Sequence, residues 1–493
     1  MGKSWGFYGR AHEIAEIRGV LDRGAWFFCA ITGRRRIGKT ALINQALATD
    51  QLREYLYVQI PDSDEHGVLQ AFREAMTSYG WPEEAATEVR SFVHMARAIR
   101  QLCERGWIVV IDEFQYFHRR QLAPFQSFLQ AEVDKLRDTN RGGIFVLGSI
   151  QTEMTAILEN RNAPLYSRVS ANVRVNHWDF ETLFEVFSSY GIDNASQQLF
   201  MWSLLEGVPK FYRDAFDANV LMPMDDYRRE TLRRLFFDGV SPLRDEADTW
   251  FLRELQGRNE TVLKTIALLG PCSNAQLAEA FQRSGGDLAP KLGQYLKVLS
   301  ERYGLIERQL PIFGKKEDRK GRYVMTDNFL TSWLGGLSRQ VAASRMMPVD
   351  RPLAAASDAL ATVEGFAFEK MIRLLTEESS RKGLGDFALT DFVRGYWNSA
   401  DIEIDLVAVN EIDRVIRFGS CKRSEAKHDT DSFDGHVARF LATKDGRRFT
   451  GWVVEKALYS PAFSSDNRRC LESVGYVCRD LHDFRNLLFP KKG

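Results

Sequence analysis

An α/β fold built on a parallel sheet is predicted by three features of the sequence. Residues 26–32 (Trp-Phe-Phe-Cys-Ala-Ile-Thr) form a continuous apolar run that stops at Gly33, the pattern of a strand buried on both faces. The chain then passes into Lys39-Thr40-Ala41-Leu42-Ile43-Asn44-Gln45-Ala46-Leu47, where apolar residues recur at helical spacing. Further short apolar runs at Tyr55–Ile60, Trp107–Ile111 and Ile144–Leu147 are separated by helical segments. Such alternation of strands and helices builds a parallel sheet.

The remaining elements follow in order along 493 residues, a length that accommodates about three domains. Residues 1–176 read as the sheet-bearing core. From about His177 the pattern turns helical, and residues 177–256 read as a helical lid. Residues 257–337 read as a winged helix: helices near Glu260–Leu269, Asn274–Arg283 and Lys291–Arg302, then strands at Leu305–Leu310 and Arg322–Met325 around a charged turn. In the third helix Leu292, Tyr295, Leu296 and Leu299 make one apolar stripe. Residues 338–358, with Pro348, Pro352 and Ala354-Ala355-Ala356-Ser357, read as a linker. A last α/β domain, 359–493, has a helix over about Leu360–Thr376 and strands at Glu403–Val409, Val415–Cys421 and Gly451–Val454.

Hydrophobic residues make up 44% and charged residues 27%, ordinary globular usage. The 66 basic and 66 acidic residues cancel, so any nucleic-acid contact must come from local patches. The six cysteines form no CxxC pair, which argues against a zinc ribbon or a thioredoxin-like site. Several lie in apolar runs, as free thiols in a reducing cytoplasm do. No run approaches the roughly 18 apolar residues of a membrane helix. The N-terminal residues lack a signal-peptide h-region.

Gly33-Arg34-Arg35-Arg36-Ile37-Gly38-Lys39-Thr40 fits GxxxxGK[ST] between a strand and a helix that continues into Ala41, the context the motif requires. Its glycines let backbone N–H groups wrap phosphates, and the helix N-terminus adds its dipole. Lys39 is placed to reach the β- and γ-phosphates of ATP, and Thr40 to ligate Mg²⁺. Ile108-Val109-Val110-Ile111-Asp112-Glu113 is the matching second motif. A buried strand delivers Asp112 to hold Mg²⁺ and Glu113 to activate the attacking water.

Phe7-Tyr8-Gly9-Arg10 with Glu13, then GRRRIGKT, then Asp112-Glu113-Phe114-Gln115, closely resembles the archaeal-type ATPases of the STAND branch of AAA+-related P-loop proteins. The resemblance implies three further roles. Ser149 would be sensor 1. Arg168, within Ala163-Pro164-Leu165-Tyr166-Ser167-Arg168, would be a γ-phosphate or finger arginine, with a structural salt bridge as the other reading. Pro209 of Gly207-Val208-Pro209 would pack near the adenine.

The presumed wing carries Lys315, Lys316, Arg319, Lys320 and Arg322 against Glu317 and Asp318. Such a tip would track phosphates; the bland reading is a solvated turn. In the last domain, Glu403 and Asp405 share one face of a strand, and Ser420 and Lys422 one face of the next. This resembles the PD-(D/E)XK, restriction-endonuclease-like fold that follows archaeal-type ATPases. The resemblance implies that Glu369, Asp405 and Lys422 gather a divalent metal and a water; Glu403, on the same face as Asp405, would compensate for a missing ligand. The sequence departs from that pattern at Ser420, where the motif wants an acid.

Three functions are compatible with these features. The first is an ATP-driven switch that controls a nucleic-acid-engaging, degenerate nuclease-like half. The second is an ATP-gated, metal-dependent nuclease. The third is an ATP-binding regulator that recognises a protein partner. A trans-acting Arg168 would require a homo-oligomer.

Overall fold

The computed structural model describes residues 4–48, 53–149, 151–247, 252, 255, 258–283, 291–315, 320–398 and 402–489. They form two compact units: Gly9–Trp178 with Val208–Lys210, and the remainder of the chain.

The first unit is a five-stranded sheet of β1 (Phe27–Gly33), β2 (Tyr55–Gln59), β3 (Ile108–Asp112), β4 (Gly143–Gly148) and β5 (Ala171–Val175). The order is β2-β3-β4-β1-β5, and every pair is parallel. One apolar cluster, from Phe28 to Leu165, covers one face, and a second, centred on Leu42, Ile43 and Phe145, covers the other. Burial on both faces explains why the strands read as unbroken apolar runs. β5 escaped the sequence reading because Ala-Asn-Val-Arg-Val at a sheet edge buries only Val173 and Val175. The register sets Thr32 beside Gly148 and Ile111 beside Val146. The C-terminal ends of β1, β4 and β3 therefore converge, in the crevice where open α/β sheets bind ligands.

The second unit begins with the helices Phe180–Tyr190 and Ala195–Leu205. Three helices, Asn259–Leu269, Asn274–Arg283 and Leu292–Lys297 with a π turn to Arg302, follow later. They accompany an antiparallel sheet of β6 (Cys272–Ser273), β7 (Ile306–Gln309) and β8 (Arg322–Met325), ordered β6-β8-β7. A mixed sheet closes the unit: β9 (Arg394–Trp397), β10 (Glu403–Asn410), β11 (Val415–Cys421), β12 (Val453–Tyr459) and β13 (Tyr476–Arg479), ordered β13-β12-β11-β10-β9.

The stretch read as a linker is instead largely helical. Ser338–Ala343 is a helix, and a 32-residue helix runs from Asp350 to Arg381, longer at both ends than the predicted Leu360–Thr376. Pro352 is tolerated because it sits in the first turn, where its missing N–H has no intrahelical acceptor. The alanines that suggested a linker are strong helix formers, and Leu353 and Ala356 are buried.

Two ion-pair clusters anchor this long helix. Lys370 Nζ donates to Glu206 Oε1 (2.6 Å), Thr326 O (3.0 Å) and Asn328 Oδ1 (3.1 Å). Lys382 Nζ donates to Asp179 (2.9 Å), Glu181 (2.5 Å) and Glu378 (2.8 Å), while Glu378 accepts the backbone N–H groups of Phe180 and Glu181. The three acids lie close enough to share a cation, and the Lys382 ammonium is that cation. Lys382→Met is therefore expected to lower stability by about 2 kcal/mol, discounted for the partly exposed acids. Millimolar Ca²⁺ should recover part of the loss. Thermal unfolding with and without Ca²⁺ checks both statements.

Candidate functional site

The predicted phosphate cradle opens directly from β1. A Cβ on Gly33 would lie 2.4 Å from the Val175 carbonyl oxygen, so only glycine lets β1 turn here beside β5. Gly38 takes φ 89° and Arg36 φ 67°, and the helix then starts at Lys39 with Leu42 N–H donating to Gly38 O (2.9 Å). The first N–H groups of a helix have no acceptor within it, and those that open this one follow directly on the glycine loop, as in helix-terminus anion sites.

Lys39 is buried and its Nζ donates to Gly33 O (3.0 Å), Arg34 O (3.1 Å) and Ser149 Oγ (3.0 Å). Burial lowers its pKa to about 8 against the opposing pull of Asp112 and Glu113. A buried cation of this kind favours an anion that restores its charge. Thr40 Oγ1 donates to Asp112 Oδ2 (2.6 Å), so the two predicted Mg²⁺ ligands already meet. A hydroxyl and a carboxylate at the mouth of a phosphate cradle fit Mg²⁺ carried with a nucleotide.

Three residues that the sequence reading left without a role complete the site. Tyr57, on β2, donates its hydroxyl to the same Asp112 oxygen at 2.7 Å. Burial, then the Asp112 charge, keeps its phenol protonated well above the usual range. Arg10, buried and at φ 67°, donates to Glu13 Oε1 (2.7 Å), Asn176 O (2.6 Å) and Ile37 O (3.0 Å). The Gly9-Arg10…Glu13 motif thus ties the cradle's backbone to the end of β5. Gln115 donates to the Glu113 carboxylate and accepts the Ser149 N–H (3.2 Å). Only its place in the quoted Asp-Glu-Phe-Gln motif marked it. Tyr57 was marked only by a polar-tipped aromatic inside a buried strand.

Other predicted residues fall as follows. Pro209 lies beside the cradle: a Cβ on Gly38 would meet its Cγ at 3.8 Å. Arg34 contacts His177 Nε2 (3.3 Å). Arg168 forks onto Asp134 (3.2 and 3.1 Å) and donates to Tyr166 O (2.8 Å). The structural salt bridge is therefore the reading of Arg168 that the geometry matches.

The second predicted cluster is on the long helix and the mixed sheet. Asp405 Oδ2 accepts the Cys421 N–H (2.8 Å) and Lys422 Nζ (3.3 Å). Burial and then Asp405 raise the Glu369 pKa to about 8, so Glu369, Asp405 and Lys422 do come within electrostatic reach. Glu403 is drawn off: its carboxylate accepts Arg322 Nη1 at 2.6 Å. The Leu406–Gly419 pairing puts buried Ser420 one register step on, beside Asp405. One carboxylate oxygen already shared by two donors and a neutral serine make a donor set poorer in charged oxygens than Mg²⁺ prefers.

The presumed wing is docked within its own unit. After β7, Ile312 enters the apolar cluster of the mixed sheet, with Tyr396, Phe418 and Phe440. Its N–H donates to Gly395 O (2.9 Å). Phe313 packs against Phe449 at 5.5 Å between ring centroids, and Arg448 lies over it. Trp397 Nε1 donates to Lys320 O (2.7 Å), and Arg322 covers the Trp397 ring. The base of the hairpin is thus held by the apolar Pro311-Ile312-Phe313 segment, which the charge pattern of the sequence did not reveal. Residues 316–319, with Lys316 and Arg319, lie outside the described residues. A cleft of about 340 Å³ remains between β7–β8 and the long helix, with Glu369, Arg373 and Glu377 on one wall and Glu307 and Gln309 on the other.

Comparison with known proteins gives two family matches along the chain. Residues 7–210 match a family described as an ATPase domain predominantly from Archaea. Residues 337–432 match archaeal and bacterial proteins of unknown function. An uncharacterised protein of Methanocaldococcus jannaschii is 26% identical over 427 residues, covering 85% of this chain and 88% of that one. A Walker-type ATPase of Pyrococcus abyssi is alike in fold, with TM-score 0.51 and 19% identity, over 66% of this chain and 96% of that one. The cradle thus belongs to a P-loop ATPase domain. Among the described residues no helix is long and apolar enough to cross a membrane.

Proposed function

We propose that this protein is a STAND-type switch, in which ATP binding and slow hydrolysis at Gly33–Thr40 control a C-terminal half that engages nucleic acid without cutting it. The observation that carries the reading is the network already assembled around the cradle: Lys39 on Ser149 at 3.0 Å and Thr40 on Asp112 at 2.6 Å. Donors fixed before the ligand arrives cost little reorganisation when charge develops.

In this reading Lys39 and the first-turn N–H groups bind the phosphates. Thr40 and Asp112 hold Mg²⁺, which when bound neutralises phosphate charge. Glu113 accepts a proton from the attacking water, and Ser149 orients Lys39. The three helices with β6–β8 act as a winged helix, and the mixed sheet as a degenerate restriction-endonuclease-like domain. Its loss of cleavage follows from the poor donor set at Ser420 and Glu403.

Paired assays of ATP hydrolysis and plasmid nicking, in Mg²⁺ or Mn²⁺, test this on full-length wild type, Lys39→Ala and Asp405→Ala. Wild type is expected to hydrolyse ATP, Lys39→Ala to bind it at least about tenfold more weakly, and no protein to nick DNA. Normal binding and hydrolysis by Lys39→Ala would overturn the ATPase assignment. Nicking by wild type that vanishes in Asp405→Ala would establish a nuclease instead. Absence of any salt-sensitive DNA affinity would leave recognition of a protein partner.

A further inference from the structure

We infer that Gln115 is a positioning residue for ATP hydrolysis, holding Glu113 in its working orientation and linking it to Lys39 through Ser149. The inference rests on the ATPase reading above. Gln115 is 1% exposed, and a buried side-chain amide must satisfy its polar atoms within the protein. Here one end donates to the Glu113 carboxylate. The other accepts the Ser149 N–H at 3.2 Å. Ser149 in turn accepts Lys39 Nζ at 3.0 Å. The ends of β3 and β4 and the start of the cradle helix are thus joined by one chain of hydrogen bonds, Glu113–Gln115–Ser149–Lys39, which passes through the Ser149 backbone N–H and hydroxyl.

Glu113 needs such a hold. It takes φ 56°, the left-handed region that non-glycine residues seldom adopt. Its N–H donates to Asp112 Oδ1 at 2.8 Å, which fixes its backbone but leaves the carboxylate to be aimed. The Gln115 amide supplies that aim. A phosphate that engages Lys39 competes with the Lys39–Ser149 bond, and the same chain carries that change to Glu113. Gln115 touches neither nucleotide nor water in this scheme, and its whole effect passes through Glu113.

A double-mutant cycle tests this. ATP affinity and kcat are measured for full-length Gln115→Met in the wild-type and Glu113→Gln backgrounds. Gln115→Met alone is expected to lower kcat about tenfold with ATP Kd unchanged to within about twofold. In the Glu113→Gln background it is expected to lower kcat no further. An equal loss in both backgrounds, a change confined to Kd, or an unchanged kcat would each overturn the inference. If Gln115→Met unfolds, Gln115→Glu keeps the volume while losing the donor, and the same outcomes decide. A wild-type protein without ATPase activity would instead overturn the ATPase reading itself.

Discussion

Glu113→Gln is expected to lower kcat for ATP hydrolysis about 10²- to 10³-fold, the usual contribution of a positioned general base, while ATP binding stays within about threefold of wild type. The split follows from the division of labour at the end of β3. Asp112 is buried and committed to Thr40, Tyr57 and the Glu113 N–H. In the proposed mechanism it would therefore organise the metal side of the site. Glu113 is the next residue, but its left-handed backbone turns its side chain out of the strand's alternation. Its carboxylate accepts from the Gln115 amide, and in the proposed mechanism it would take the proton of the attacking water. The amide in Glu113→Gln keeps the shape and loses the basicity. Phosphate release under saturating ATP gives kcat, and equilibrium titration with a slowly hydrolysed analogue gives affinity. Turnover within tenfold of wild type would take the base role away from Glu113. Asp112→Ala should behave differently, weakening Mg²⁺-dependent ATP binding itself.

The nucleotide site was legible in the sequence because its chemistry is contiguous. Eight residues of the cradle, and Asp112-Glu113 after four apolar positions, carry strand, turn and ligand together. What stayed hidden joins residues far apart in the chain. Tyr57 meets Asp112 across 55 positions and Arg322 meets Glu403 across 81, distances over which one sequence has no periodicity to read. Arg168 has two readings in the sequence, a phosphate contact and a structural salt bridge, and the partner it meets, Asp134, lies 34 positions away. The long helix was cut short in the reading because proline and a run of small residues outweighed helix propensity. Tertiary burial of Leu353, Ala356 and Leu360 reverses that judgement. The mixed sheet lost β9 and β13 to prediction because each is a four-residue edge strand, too short to show alternation.

The docked hairpin leads to the second large effect. Ile312→Asp is expected to destabilise the C-terminal unit by roughly 3–5 kcal/mol, since it removes a buried apolar side chain and leaves a charge without a partner in its place. Arg322→Ala, by contrast, is expected to cost only about 1 kcal/mol, because the Arg322–Glu403 pair is solvent-screened through its exposed Glu403 end. Denaturant unfolding of the full-length variants distinguishes the two. Equal losses would mean that the ion pair, and not the apolar insertion, holds the hairpin. The difference bears on the switch. Withdrawing Ile312 alone forfeits about 2–3 kcal/mol of apolar burial, and partial exposure of Phe313 adds to it. At 1.4 kcal/mol per tenfold, a spontaneous release costing about 4 kcal/mol would occupy roughly one molecule in a thousand. If the hairpin engages nucleic acid as proposed, one held this way would do so poorly until something else supplied that energy. In the proposed switch, nucleotide binding would supply that energy. Hydrogen exchange at the Ile312 and Gly395 amides, followed with and without ATP, then reports the step directly: protection that falls on adding ATP is the expected result, and protection indifferent to nucleotide would separate the hairpin from the switch.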